Sequence, residues 1–213
     1  MALLLLLSKR KRAVERGLKR GLSIAAIAND VGAAVSGAIL EARTLSSLKG
    51  IKSLVRELET LGIDVSRSRI AASQDATLLE HVRAARKTGS SYGKQWRTKA
   101  TGKSVSEAAR AASTDTNAAL HRIGVTESSK GYGTGRKSLA ERVATTGPKL
   151  YRVYDAVLDK RVCPSCEGSD GDIVGLKERF RYGEPGTIHP NCRCTWSLLT
   201  ESEIDSGSLI QAA

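Results

Sequence analysis

Cys163-Pro164-Ser165-Cys166, followed after 22 residues by His189-Pro190-Asn191-Cys192-Arg193-Cys194, is the stretch whose reading decides the fold. It contains all four cysteines, one of the three histidines and three of the four prolines. A C-x-x-C pair and a second donor group, spaced by three and then two residues, suit a tetrahedral zinc site. Each group offers soft donors, and the ion closes the loop between them. Five candidates, Cys163, Cys166, His189, Cys192 and Cys194, compete for four positions. Cys163, Cys166 and Cys192 are the expected ligands, and the fourth is Cys194 or His189. Disulfides are the competing reading. A thioredoxin-like redox pair lacks the βαβ pattern it requires, and no open ligand position beside a base suggests a catalytic zinc. The expected cofactor is a structural zinc ion acting as a staple.

Outward from this stretch the chain changes character. Its 213 residues are 40% hydrophobic but only 4% aromatic, and small side chains dominate the first two thirds. That composition favours helix-on-helix packing over a bulky sandwich. The net charge of +12 is unevenly placed: residues 1–147 hold 26 Lys/Arg against 12 Asp/Glu, whereas residues 148–213 hold 8 against 10. Such a surplus favours polyanions through counterion release, without base specificity. A solvated helical surface, or an acidic protein partner, would account for the same charge.

The apolar run Met1–Leu7 precedes the basic cluster Lys9–Arg12, the reverse of a secretory signal, and no stretch is expected to span a membrane. Synthesis in the cytoplasm would keep the thiols reduced, which favours metal over disulfide.

Proline is absent before Pro148, as long helices require. Val14, Leu18, Leu22 and Ala25 form one face of a basic opening helix. Leu45, Leu48, Ile51, Leu54, Val55, Leu58 and Leu61 repeat at three and four, a packing stripe that Gly62 should end. Leu78, Leu79, Val82 and Ala85 mark another helix, which Thr88–Ser91 and Gly93 should loosen. Ser104 and Glu107 fit a capping box ahead of a helical face running from Val105 to Ile123. The three glycines of Lys130–Lys137 read as a break, with a short helix resuming over Leu139–Ala144.

After Pro148, alternation from Tyr151 to Leu158 reads as a strand. Ser169–Asp172 is a turn, Ile173-Val174 a second short strand, and Thr195–Leu199 a last one. No element is expected after Thr200. The expected fold is therefore α+β and mostly α: a long proline-free helical region, then a small β-rich, zinc-stapled module.

Candidate catalytic groups are few. The alternating Gly131, Gly133 and Gly135 follow no strand that would prepare a dinucleotide site. His81 and His121 read as packing or surface residues, and Trp96 as buried against a helix in preference to stacking on a base. Asp159 reads as a turn former, and Arg193 as a phosphate contact, an acidic-partner contact or a local cap. No Ser/His/Asp set stands out, so no enzyme is expected.

The run from Tyr151 to Trp196 resembles the C-terminal module of the phage Mu F-like minor head proteins, the head-morphogenesis family of tailed phages. The matching pieces are a strand ending in Asp159, Cys163-Pro164-Ser165-Cys166, Asp170-Gly171, and His189-Pro190-Asn191-Cys192-Arg193-Cys194. Gly124-Val125-Thr126-Glu127 matches in part a helix that carries Arg-Thr-Glu in that family. The resemblance covers roughly the last 90 residues. It implies a structural virion protein inside the capsid near the portal, in contact with portal and capsid or scaffold proteins. Double-stranded DNA is a further, non-specific partner it suggests. The 19 residues after Cys194 would exclude the enzymatic extensions of some relatives. The expected divisions are a basic helical region 1–100, a helical part of the head-morphogenesis module 101–147, the Cys/His knuckle 148–200 and a tail 201–213. A free zinc-knuckle nucleic-acid-binding protein is the alternative.

Overall fold

A computed structural model describes residues 23–206. Three long helices come first: α1 Ile24–Thr60, α2 Arg67–Ala100 and α3 Val105–Ala144. They are followed by β1 Leu150–Asp155, α4 Pro164–Glu167, β2 Ile173–Gly175, β3 Thr195–Thr200 and α5 Glu201–Asp205. The fold is α+β and mostly α, with the strands confined to the C-terminal third. The apolar face expected from Val14 to Leu22 lies outside the described residues, and so does the side chain of His121.

The chain divides into two compact units. One joins the residues up to Thr44 with Leu79–Glu127, and the other joins Leu45–Leu78 with the residues from Ser128 onward.

In the first unit the core is built from small and β-branched side chains. Ile27, Ala28, Val31, Trp96, Ala100 and Ala108 form one cluster, and Val35, Ala38, Ile39, Ala85 and Leu120 another. Trp96 is buried against these helices, as expected, although its sequence neighbours Lys94, Arg97 and Lys99 are basic. Helix α2 does not loosen at Thr88–Ser91. A Cβ on Gly89 would sit 2.6 Å from the Gly32 carbonyl oxygen and from Ser36 Cβ, and one on Gly93 would sit 2.8 Å from Ala28 O. Each glycine costs about 1 kcal/mol of helix propensity, and the close backbone approach it allows offsets that cost. The buried face of α2 only partly matches the expected one. Ala85 is buried and Val82 half-buried as expected, but Leu78 and Leu79 are exposed, and Ser73, Thr77 and His81 point inward.

In the second unit, Ile51, Leu54, Leu58, Leu139, Ala140 and Val143 share a core with Leu150, Tyr154, Phe180, Trp196 and Leu198. Helix α3 runs unbroken through Lys130–Lys137, contrary to the expected break. A Cβ on Gly135 would overlap the Ser47 carbonyl oxygen, and one on Gly50 the Tyr132 carbonyl oxygen. The glycines are contact points, not breaks. Gly62 ends α1 as expected, at φ 73°. Its N–H reaches Glu59 O at 3.0 Å, and the Ile63 N–H reaches Leu58 O at 2.8 Å, the two bonds of a Schellman cap.

The sheet is antiparallel in the order β2-β1-β3. Tyr151 pairs with Gly175 on one side and Leu199 on the other. Along β1 the buried positions are Leu150, Arg152 and Tyr154. Helix α5 follows β3 directly, where no element was expected. Thr200 caps it: its hydroxyl accepts from Glu203 N while the Glu203 carboxylate accepts from Thr200 N at 2.8 Å. This capping box was present in the sequence as Thr200-x-x-Glu203.

Helix α1 contains an 18-residue window of mean hydropathy 1.4 and is long and apolar enough to cross a membrane, contrary to expectation. Ile27, Val31, Val35, Ile39, Ile51, Leu54 and Leu58 are buried along it, the pattern of a core helix.

Candidate metal centre

The two donor groups are held by two turns that share the pattern donor-Pro-x-Cys. In the first, Cys163 takes an extended conformation and caps α4, with Pro164 in the first helical turn, where its missing N–H is harmless. Cys166 N–H reaches Cys163 O at 3.0 Å. In the second, Pro190 is followed by Asn191 at φ 63°, and Cys192 N–H reaches His189 O at 3.2 Å. Proline at the second turn position and a left-handed Asn at the third make this a type II turn. Each turn carries its donors at the first and fourth positions, which brings them onto one side.

The turns face each other across a short gap. Cys166 Sγ lies 3.5 Å from His189 Nε2 and 3.7 Å from Cys192 Sγ. Cys163, Cys166 and His189 form one set of donors within 4.8 Å of one another, and Cys166, Cys192 and Cys194 form a second. Cys166 belongs to both. Zinc–sulfur bonds of about 2.3 Å and zinc–nitrogen bonds of about 2.05 Å, at tetrahedral angles, place sulfurs about 3.8 Å apart and sulfur about 3.5 Å from nitrogen. Both distances therefore match edges of a zinc tetrahedron, and these groups could hold a metal ion. All four cysteines are free thiols, so the disulfide reading has no bond to support it.

The surroundings fix these turns. Tyr154 donates to Cys166 Sγ at 3.5 Å and packs edge-on against Phe180, with ring centroids 5.3 Å apart. Burial raises the Cys166 thiol pKa, whereas the backbone N–H of Cys166 lowers that of Cys163. Ser129 of α3 donates to Cys192 O at 3.0 Å. Asp170-Gly171 locks the intervening loop onto β1: Asp170 Oδ1 accepts from Ala156 N at 2.8 Å, and Gly171 N reaches Tyr154 O at 2.9 Å. Asp159 shapes its own turn by accepting from Arg161 N at 2.9 Å, as read from the sequence. It also takes both arms of Arg193 at 2.8 and 2.7 Å, and this pairing holds its carboxyl down to about 2. Arg193 thus ties the two halves of the site together through a local carboxylate.

Two arginines beneath the site were not anticipated. Arg152 has no exposed side-chain surface and pairs with Glu184 at 2.6 Å, its guanidinium 4.8 Å from the Phe180 ring centre. Arg136 lies 4.7 Å from the Trp196 ring centre, and Arg152 lies 5.5 Å from it. Arg136 also pairs with Glu57. The one signal in the sequence was position: Arg152 stands between Leu150 and Tyr154 on the inward face of an alternating strand.

Fold and site together define a mostly helical protein closed by a compact knuckle whose Cys and His donors could hold a metal ion. The chain belongs to the family described as Phage Mu protein F like protein, which matches residues 9–197. The match extends beyond the roughly 90 C-terminal residues that carry the resemblance and takes in the long helices. No curated protein and no solved structure gives a match. Membership points to phage head morphogenesis and to contact with other head components.

Proposed function

We propose that this chain is a non-enzymatic minor head protein of a tailed phage, built into the virion near the portal, with a structural zinc ion stapling its C-terminal knuckle. The observation that carries the reading is the family match across residues 9–197. The geometry adds support. The candidate donors are buried or half-buried among structural partners, as suits a staple. The portal protein and the capsid or scaffold proteins are the partners this reading assigns. Fractionation of infected-cell lysate into procapsids, filled heads and free protein tests it. The chain should travel with the particles at a few copies per portal. Its presence only in the free pool would overturn the assignment.

Contact with double-stranded DNA is a second reading, favoured by the charge. In the first unit a groove lined by Gly32, Gly89 and Gly93 is flanked by Arg86, Lys94 and Arg97, with no acidic residue among its lining. Three cations along one groove suit a phosphodiester backbone read without sequence preference. The isolated chain should then bind duplex DNA with an affinity that falls steeply with salt, and no binding at low salt would remove this reading.

A further inference from the structure

We infer that the metal is held by Cys163, Cys166, His189 and Cys192, with Cys194 outside the coordination sphere. This rests on the zinc reading above and concerns which four of the five donors are used. The two turns are internally alike: donor-Pro-x-Cys in each, with the fourth residue's N–H returned to the first residue's carbonyl. A pair of such turns supplies four donors, two from each, and Cys194 belongs to neither. The donor set that contains both cysteines of the first turn is completed by His189. Cys192 then joins through its 3.7 Å approach to Cys166, close to the edge of a zinc tetrahedron.

The histidine is also prepared for the role. His189 Nδ1 lies 2.8 Å from the Pro190 carbonyl oxygen. A carbonyl can only accept, so Nδ1 is the donor, and in a neutral imidazole this leaves Nε2 as the bare nitrogen. That nitrogen is the atom 3.5 Å from Cys166 Sγ. A ring N–H fixed on a backbone carbonyl, with the other nitrogen turned toward thiolates, is how metal-bound histidines are oriented. Cys194 instead stands just before β3, and it lines a cavity with Lys49, Tyr132 and Trp196.

The test uses the full chain, purified reduced and loaded with Zn²⁺ or Co²⁺. Zinc content and chelator competition give occupancy and affinity, and the thiolate-to-cobalt charge-transfer band counts sulfur ligands. Cys194→Ser should keep one ion, hold it within about 3-fold of the parent affinity, and leave the band unchanged. His189→Ala should weaken binding by more than about 100-fold, since losing even a group that only hydrogen-bonds and orients a ligand costs about 10–100-fold. His189→Cys should still bind and should raise the band by about a third, because four thiolates replace three. If Cys194→Ser loses the ion or part of the band while His189→Cys leaves the band unchanged, the site is a four-cysteine one and the assignment fails. If the parent chain takes up neither metal, the zinc reading itself fails and this assignment falls with it.

Discussion

The Glu57 carboxylate accepts a hydrogen bond from the backbone N–H of Leu198 at 2.6 Å, although 141 residues separate them. Leu198 lies on β3, at one edge of the sheet, so its N–H is turned away from β1 and would otherwise be an open edge donor. The other oxygen of Glu57 holds Arg136, which is almost wholly buried. One carboxylate therefore joins α1, α3 and β3.

Replacing Glu57 with leucine leaves a buried guanidinium and an edge N–H without their partner. The expected cost is about 3–5 kcal/mol, the penalty for breaking a buried ion pair from one side. Glu57→Gln keeps an acceptor and should cost less, about 1–2 kcal/mol. Urea unfolding of the two variants measures the difference, and equal losses would show that the charge does not matter.

The glycines of Lys130–Lys137 make opposite predictions within a single helix. A Cβ on Gly133 meets nothing within 4 Å, so Gly133→Ala should stabilise the protein by up to about 1 kcal/mol through helix propensity. Gly135→Ala drives a methyl group into the Ser47 carbonyl and should destabilise by about 1–3 kcal/mol. Thermal denaturation of the pair should move the midpoint in opposite directions.

Much of the C-terminal module was legible because its signals are local. Period-two alternation marked β1, and the donor spacings marked the two groups of candidate ligands. Helix continuity was not legible in the same way. Gly89, Gly93 and Gly135 read as loosening residues until their neighbours Gly32, Ala28 and Ser47 are known, and those lie far away in the chain. The burial of Arg152 was hidden for the same reason, since Glu184, Phe180 and Trp196 come from later segments. A polar buried face on α2, with Ser73, Thr77 and His81 inward, also defeats a search for apolar stripes.

His81 is 1% exposed, and neither ring nitrogen has a hydrogen-bond partner among the described residues. Burial lowers its pKa to about 4, and Arg43 adds to that, while Glu127 acts in the opposite direction. The folded state therefore keeps the ring neutral, whereas the unfolded chain takes up a proton near pH 6.5. Stability is fully present above that pH and is lost as pH falls toward 4. His81→Leu should behave like the parent at pH 7.5 and exceed it in stability at pH 5. Parallel urea titrations at the two pH values check this, and a constant offset between the proteins would refute it.

Zinc removal should act through the shared core. Cys166, Cys192 and Cys194 are packed in the same cluster as Leu54, Leu58 and Leu139. A strong chelator, or Cys163→Ser, should open residues 148–200 to trypsin at the exposed Lys160, Arg161 and Lys177, because metal binding in so small a module is folding energy. Hydrogen exchange should also quicken around Leu54 and Leu139. Unchanged protease resistance of residues 148–200 would argue against a structural ion.

The chain has two tryptophans, and each compact unit contains one. Trp96 sits among aliphatic side chains in the first unit, whereas Trp196 lies close to two guanidinium groups in the second. Their emission should differ in colour and in response to quenchers, so a single substitution at either position turns the protein's own fluorescence into a reporter for one unit. Whether the two halves melt together or in succession then becomes a matter of two optical traces, recorded without any added label.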